Sequence, residues 1–119
     1  MSRRLLAVAG VTITAVVLAS ASLASTPKLT GTVGPGFTIT LTQGGKKVTK
    51  LKAGSYTFAI KDSSAAHSYG LDGPNGFAKD FTSVSYKGSK TFTLKLKPGT
   101  YKFYCSPHES SMFGNFKVS

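Results

Sequence analysis

Hydrophobic and polar residues alternate along much of the chain. Five runs carry an apolar or small side chain at every second position: Phe37, Ile39 and Leu41; Tyr56, Phe58 and Ile60; Phe92, Leu94 and Leu96; Tyr101, Phe103 and Cys105; Gly114, Phe116 and Val118. A period of two is typical of a β-strand with one buried and one solvent-facing side. Glycine- and proline-rich breaks separate the runs. The pattern therefore predicts an all-β domain, an antiparallel sandwich or barrel of seven or eight short strands.

Two further segments complete this prediction. A loop over residues 62–66 leads into a short strand predicted from His67 to Leu71. The segment from Phe77 to Tyr86 is the least regular, and a loop or a short helical turn is expected there. Near the end of the chain, alternation directs the side chain of Cys105 inward at the end of a strand, and Pro107 stops that strand.

The first 24 residues have the three-part layout of a secretory signal peptide. Arg3 and Arg4 precede an apolar stretch over residues 5–19, and small residues follow over 20–24. This layout predicts cleavage after Ala24, export, and a single domain over residues 25–119. A retained membrane anchor is the alternative, since residues 5–24 are about long enough to span a bilayer. The paired arginines leave open whether export follows the general or the twin-arginine route.

The predicted mature region is strongly basic. Residues 25–119 hold 13 lysines, no arginine and four carboxylates, a difference of +9. Export and the absence of arginine argue against a nucleic-acid partner. In the simplest interpretation, the lysines form a well-solvated surface. The alternatives are electrostatic steering toward an acidic partner and association with an anionic cell surface.

The candidate chemistry lies in four residues. Cys105, the chain's single cysteine, is followed by His108 and Met112 in the order Cys-x-x-His-x-x-x-Met, and the only other histidine is His67. One thiolate, two imidazoles and a weak thioether form the ligand set of a blue-copper centre. A lone exported cysteine also needs something to hold it, because it cannot form an internal disulfide. The sequence therefore predicts one type 1 copper ion that alternates between Cu(I) and Cu(II).

Three classes of function are compatible with such a chain. A rigid site without an open position favours a small electron-transfer protein and not an enzyme. An extracytoplasmic copper carrier or buffer would use the same ligands. A sandwich without metal, such as a surface module, would require a chance placement of all four residues. A multicopper oxidase or nitrite reductase needs further histidines and domains that the sequence lacks.

Two segments resemble those of a known family. Residues 99–108, Gly-Thr-Tyr-Lys-Phe-Tyr-Cys-Ser-Pro-His, and residues 112–118, Met-Phe-Gly-Asn-Phe-Lys-Val, are similar to the copper-binding strands and loop of plastocyanins. The mature region resembles the cupredoxins over its whole length, and the short separation of His67 from Cys105 is similar to that in amicyanins. The resemblance implies an eight-stranded Greek-key sandwich with copper near one end, held by His67, Cys105, His108 and Met112.

The resemblance also implies how the protein works. Electrons would pass through the ring of His108, the ligand nearest solvent, at the edge of an apolar patch. Tyr104, which points outward beside Cys105, is a second candidate route. The partner would be a redox protein such as a cytochrome, an oxidase or a dehydrogenase, and the chain would act as a monomer.

The chain departs from the plastocyanin pattern around the site. The gap over residues 109–111 is one residue shorter than in plastocyanins and one longer than in amicyanins, which bears on the distance of the axial Met112. Ser68 stands where plastocyanins carry an asparagine that ties the two ligand loops together. Pro107 offers no N–H to the cysteine sulfur, so this donation falls to the Ser68 region and a lower potential is expected.

Overall fold

The computed structural model describes residues 9–15 and 26–119. Ten strands and two single-turn 3-10 helices lie in the second range. The strands are β1 (Lys28–Val33), β2 (Ile39–Gln43), β3 (Lys46–Lys47), β4 (Lys50–Leu51), β5 (Gly54–Asp62), β6 (Tyr69–Asp72), β7 (Ala78–Thr82), β8 (Gly88–Leu96), β9 (Gly99–Tyr104) and β10 (Phe113–Val118). The helical turns are Pro74–Gly76 and Ser106–His108.

The strands form two five-stranded sheets. Their orders are β3-β2-β1-β5-β8 and β4-β10-β9-β6-β7, so the chain crosses repeatedly between sheets in the manner of a Greek key. The predicted sandwich is confirmed, and eight of the strands are longer than two residues. The sheets are mixed, since β1 pairs with β5 and β4 with β10 in parallel, while the other pairs are antiparallel. The members of each parallel pair are separated by several intervening strands, because parallel neighbours cannot be joined by a tight hairpin.

The core lies between the two sheets and follows the predicted alternation. The inward residues of β5 and β9 are buried, as are Phe116 and Val118 of β10. Tyr69 crosses the interior and donates its hydroxyl to the Thr40 carbonyl oxygen at 2.8 Å. Gly31 makes room for this ring, because a Cβ there would lie 2.8 Å from Tyr69 Cζ. Burial raises the pKa of Tyr69 well above its ordinary value, so the hydroxyl stays protonated as a donor.

Three local predictions were wrong. Residues 78–82 form a strand, because β7 pairs with β6 and buries Phe81 in the core. The helical turn lies earlier, at Pro74–Gly76. The strand after the 62–66 loop begins at Tyr69, so His67 lies in the loop. Phe37 precedes β2 and is 72% exposed, because the Gly34–Gly36 turn carries it out of the sheet.

The predicted signal peptide lies mostly outside the described residues. Residues 9–15 are described without regular secondary structure, and 1–8 and 16–25 are not described. Over the described part of the chain, no helix is long and apolar enough to cross a membrane.

Candidate metal centre

Three of the four predicted site residues lie on one loop between β9 and β10. Cys105 follows β9 directly, His108 ends the helical turn, and Met112 precedes β10. The backbone of the loop closes on itself. The Cys105 amide donates to the Met112 carbonyl oxygen at 3.0 Å, and the Met112 amide donates to that of His108 at 2.8 Å. These short-range bonds hold the three side chains at one end of the sandwich.

His67 reaches the same point from the loop between β5 and β6. Its neighbour Ser68 makes two bonds to the first loop. The Ser68 amide points at Cys105 Sγ at 3.4 Å, and the Ser68 hydroxyl oxygen accepts the Ser106 amide at 2.9 Å. Ser68, at the position of the plastocyanin asparagine, therefore ties the two loops together, and its amide is placed to donate to the sulfur.

The donor atoms of three residues converge. His67 Nδ1 and His108 Nδ1 are 3.2 Å apart, and each lies 3.6 Å from Cys105 Sγ. The point equidistant from the corners of such a triangle is about 2.0 Å from each, close to the length of a metal–imidazole bond and slightly short for a metal–thiolate bond. Thiolate and imidazole are also the donors that copper prefers. The described residues thus fit a single copper ion in this position.

Met112 and Pro107 border this triangle. The Met112 side chain is 1% exposed and belongs to the hydrophobic core. Its role as the weak axial ligand stays a prediction. Pro107 lies within the helical turn and has no amide proton, while the His108 amide donates to the Cys105 carbonyl oxygen at 3.1 Å. The Ser68 amide is therefore the backbone donor found at the sulfur among the described residues.

The site is closed on all sides but one. Cys105 is fully buried and His67 is 4% exposed, whereas His108 is partly exposed. Phe37 lies over this outer edge, with its ring centroid 5.6 Å from that of His67 and 5.1 Å from that of His108. This contact was not predicted, because alternation assigned Phe37 to the core. The glycines at 34 and 36, both with positive φ, were the available signal for a turn.

Tyr104 is the last residue of β9, and its half-buried side chain lies on the outer face of the sheet, as alternation predicted. Its ring crosses Gly70, where a Cβ would lie 3.0 Å from Tyr104 Cζ, and its hydroxyl donates to Asp72 Oδ1 at 3.2 Å. Burial and then the Asp72 carboxylate, with smaller effects of Asp80 and Glu109, raise the pKa of Tyr104 to about 12. Asp72 is therefore the carboxylate in contact with this tyrosine, and Asp80 and Glu109 act on it at longer range.

The fold and the site together define a cupredoxin. A sequence profile of copper binding proteins, plastocyanin/azurin family, matches residues 19–119, and the chain belongs to this family. Membership confirms the predicted resemblance, makes copper the cofactor, and places the chain among electron carriers and not enzymes. A comparison with curated protein sequences finds no significant match.

Solved structures support the same fold. Reduced rusticyanin is 18% identical, with a TM-score of 0.56 over 77% of this chain and 78% of its own. An oxidised single-substitution variant of amicyanin is 15% identical, with a TM-score of 0.52 over 76% of this chain and 81% of its own. At these identities the likeness shows the cupredoxin fold.

Proposed function

We propose that this protein is an exported type 1 copper protein that carries single electrons between redox partners. His67, Cys105 and His108 hold the copper ion, and Met112 is the weak axial ligand. The observation that carries the proposal is the triangle of Cys105 Sγ and two imidazole Nδ1 atoms, with sides of 3.2, 3.6 and 3.6 Å. A bound copper ion supplies the one-electron chemistry, since it alternates between Cu(I) and Cu(II).

The protein holds the copper ligands rigidly and excludes water from them. Cys105 and His67 are buried, and short backbone bonds close the loop that bears His108 and Met112. A site that keeps its shape in both oxidation states has a small reorganisation cost and exchanges electrons readily. The Ser68 amide, aimed at Sγ, stabilises the thiolate and orients it.

His108 is the proposed point of electron entry and exit. It is the most exposed of the four residues, and Phe37 lies beside it at the protein surface. Phe113, which is 45% exposed and follows Met112, adds a second apolar side chain at this end. An apolar surface around His108 can desolvate on contact with a partner and bring the two redox centres close.

A lysine near Phe113 favours docking at the His108 end over Tyr104 when the partner is acidic. Lys47 and Phe113 line one groove together with Ile39, Leu41 and Phe103, and Lys102 lies over the Phe113 ring. Lys102 also pairs with Glu109 at 3.0 Å and lies 5.8 Å from the Tyr104 ring centroid, so Lys47 is the lysine that distinguishes the two ends. Asp72 instead contacts Tyr104, and Asp80 acts on it at longer range, so both would repel an acidic surface there. Steering of this kind weakens as salt screens the charges, so the association rate should fall with ionic strength. A rate independent of salt would discard the steering.

Export is proposed from the N-terminal sequence and from the lone cysteine. Residues 1–24 have the signal-peptide layout, and the thiol of Cys105 is fully buried among copper-binding side chains. A thiol held in this way is protected outside the cytoplasm. The proposed location is the periplasm or the cell exterior, where the protein acts as a monomer.

Electron exchange distinguishes the proposal from a copper carrier. The copper-loaded protein should show a reversible one-electron wave in voltammetry and fast self-exchange in NMR line broadening of mixed Cu(I) and Cu(II) samples. It should retain copper against a competing Cu(I) chelator over the same period. Rapid loss of copper with slow self-exchange would contradict electron transfer and indicate a carrier.

A further inference from the structure

A buried carboxylate lies at the end of β5, where the chain enters the loop that leads to His67. The Asp62 side chain is 1% exposed. Its Oδ1 accepts the Ser64 amide at 3.0 Å, and its Oδ2 is the one fully buried side-chain polar atom without a hydrogen-bond partner among the described residues. A half-satisfied buried carboxylate destabilises a fold, and thus its presence needs a reason other than core packing.

The bonds that follow Asp62 give that reason. The bond from Asp62 Oδ1 to the Ser64 amide forms a turn, which the side chains of aspartate and asparagine favour. The Ser64 hydroxyl oxygen then accepts the Ala66 amide at 3.1 Å, and the Ser64 carbonyl oxygen accepts the His67 amide at 3.3 Å. Asp62 is therefore the first member of consecutive turns that end on His67.

Contacts with β1 and with Gly34 also hold the Asp62 turn in place. The Ser63 amide donates to the Val33 carbonyl oxygen at 2.9 Å, which ties the loop to β1. At Gly34, a Cβ would lie 3.1 Å from Ser64 Cβ and 3.6 Å from His67 Cδ2. Gly34 has a φ of +67°, a conformation in which any residue with a side chain would be strained. Glycine at this position lets the backbone pass close to the 62–67 loop. The loop thus has little room to shift once Asp62 has set its start.

We propose that Asp62 is a positioning residue for the metal centre: its carboxylate fixes the 62–67 loop and so sets the place of His67 Nδ1 relative to Cys105 Sγ. This inference rests on the proposed function, in which His67 is a copper ligand. The requirement is for an acceptor oxygen at this point and not for a negative charge. Asparagine should therefore substitute for aspartate, and alanine should not.

The test compares Asp62→Ala, Asp62→Asn and Tyr56→Phe in the full chain. Tyr56 is a matched control, because it is buried on the same face of β5, about 20 Å from Asp62 along the strand. It also makes a single side-chain hydrogen bond, from its hydroxyl to the Lys52 carbonyl oxygen at 2.6 Å. Asp62→Ala and Tyr56→Phe each remove one hydrogen bond, but only Asp62→Ala removes a bond in the loop that carries His67.

Three readouts, one in the metal-free and two in the copper-loaded protein, separate positioning from general stability. In the metal-free protein, amide exchange at Ser64 should rise about fivefold in Asp62→Ala, the factor that one net hydrogen bond supplies, and stay unchanged in Tyr56→Phe. In the copper-loaded protein, Asp62→Ala should alter the copper hyperfine splitting in EPR and the reduction potential. Asp62→Asn should keep all three readouts at their wild-type values.

The outcomes are distinct. If the wild-type protein binds copper without a blue centre, the proposed function fails. If the wild type is blue and Asp62→Ala keeps its exchange rates, hyperfine splitting and potential, Asp62 has no positioning role. If Asp62→Ala does not fold, Asp62→Leu supplies the comparison, because leucine has a branched side chain of similar shape and no acceptor oxygen. A leucine variant indistinguishable from wild type in all three readouts would also overturn the inference.

Discussion

The two loops that form the copper end are held in different ways. The loop from Cys105 to Met112 is closed by bonds between its own backbone groups. The loop from Asp62 to Ser68 has backbone bonds from Ser63 and His67, but it depends in addition on the side-chain oxygens of Asp62, Ser64 and Ser68. The first loop carries three of the four proposed copper ligands, and the second loop positions the fourth, His67, beside them. A site of this kind can therefore keep its ligands while its geometry is adjusted through the second loop.

The largest effect is expected in the first loop, from Cys105→Ser. A hydroxyl cannot replace the thiolate, so the intense thiolate-to-copper absorption should vanish completely. The visible spectrum after addition of Cu(II) measures this. Ser110→Ala is the matched control, because Ser110 is exposed on the same loop. A colour that survives Cys105→Ser would exclude this sulfur as a ligand.

Met112→Leu should retain the colour and raise the reduction potential. The side chain is buried, and leucine preserves most of its volume. Loss of a weak axial thioether favours Cu(I), which accepts a lower coordination number, and an upward shift on the order of 60 mV is a tenfold change for a one-electron couple. Voltammetry measures the shift. An unchanged potential would mean that Met112 only fills the core.

Ser68→Ala tests the connection between the two loops. The substitution removes the acceptor of the Ser106 amide but retains the Ser68 amide that points at Cys105 Sγ. The free energy of unfolding should fall by about 1–2 kcal/mol, because a partly buried donor loses its partner. Urea unfolding of the metal-free protein measures this loss. Ser63→Ala is the control in the same loop, and equal losses in both variants would refute a special role of the tie.

The smallest effect is expected from Pro107→Ala, which returns an amide proton to the first loop. An additional N–H donor near Cys105 Sγ would stabilise the more electron-rich Cu(I) state and raise the potential slightly. Voltammetry of this variant beside wild type gives the sign. A downward shift would show that the ring of Pro107, and not its missing proton, governs the potential.

Much of the fold followed from alternation alone. The inward faces of β5 and β9 were predicted because a period of two assigns every second side chain to the core. The strand β7 was missed because it has Phe81 as its only large inward residue, and its pairing with β6 is a long-range contact that no local pattern records. The positive-φ turn before Phe37 removed that residue from a run that alternation had extended too far.

The candidate site was predicted to a similar degree. Residue chemistry was sufficient to single out His67, Cys105 and His108, because one cysteine and two histidines are the strong ligands of a blue-copper site. The structure brings their donor atoms together. The roles of Asp62 and Phe37 could not be read in this way. Both act through contacts with residues that are close in space, and aspartate and phenylalanine are common in loops and cores of every kind.

The central claim is that one copper ion is held by the thiolate of Cys105 and the imidazoles of His67 and His108. Its most direct test is the visible spectrum of the protein during titration with Cu(II). The account predicts an intense blue band that saturates at one equivalent of copper. Binding of copper without this band, or no binding at all, would contradict it.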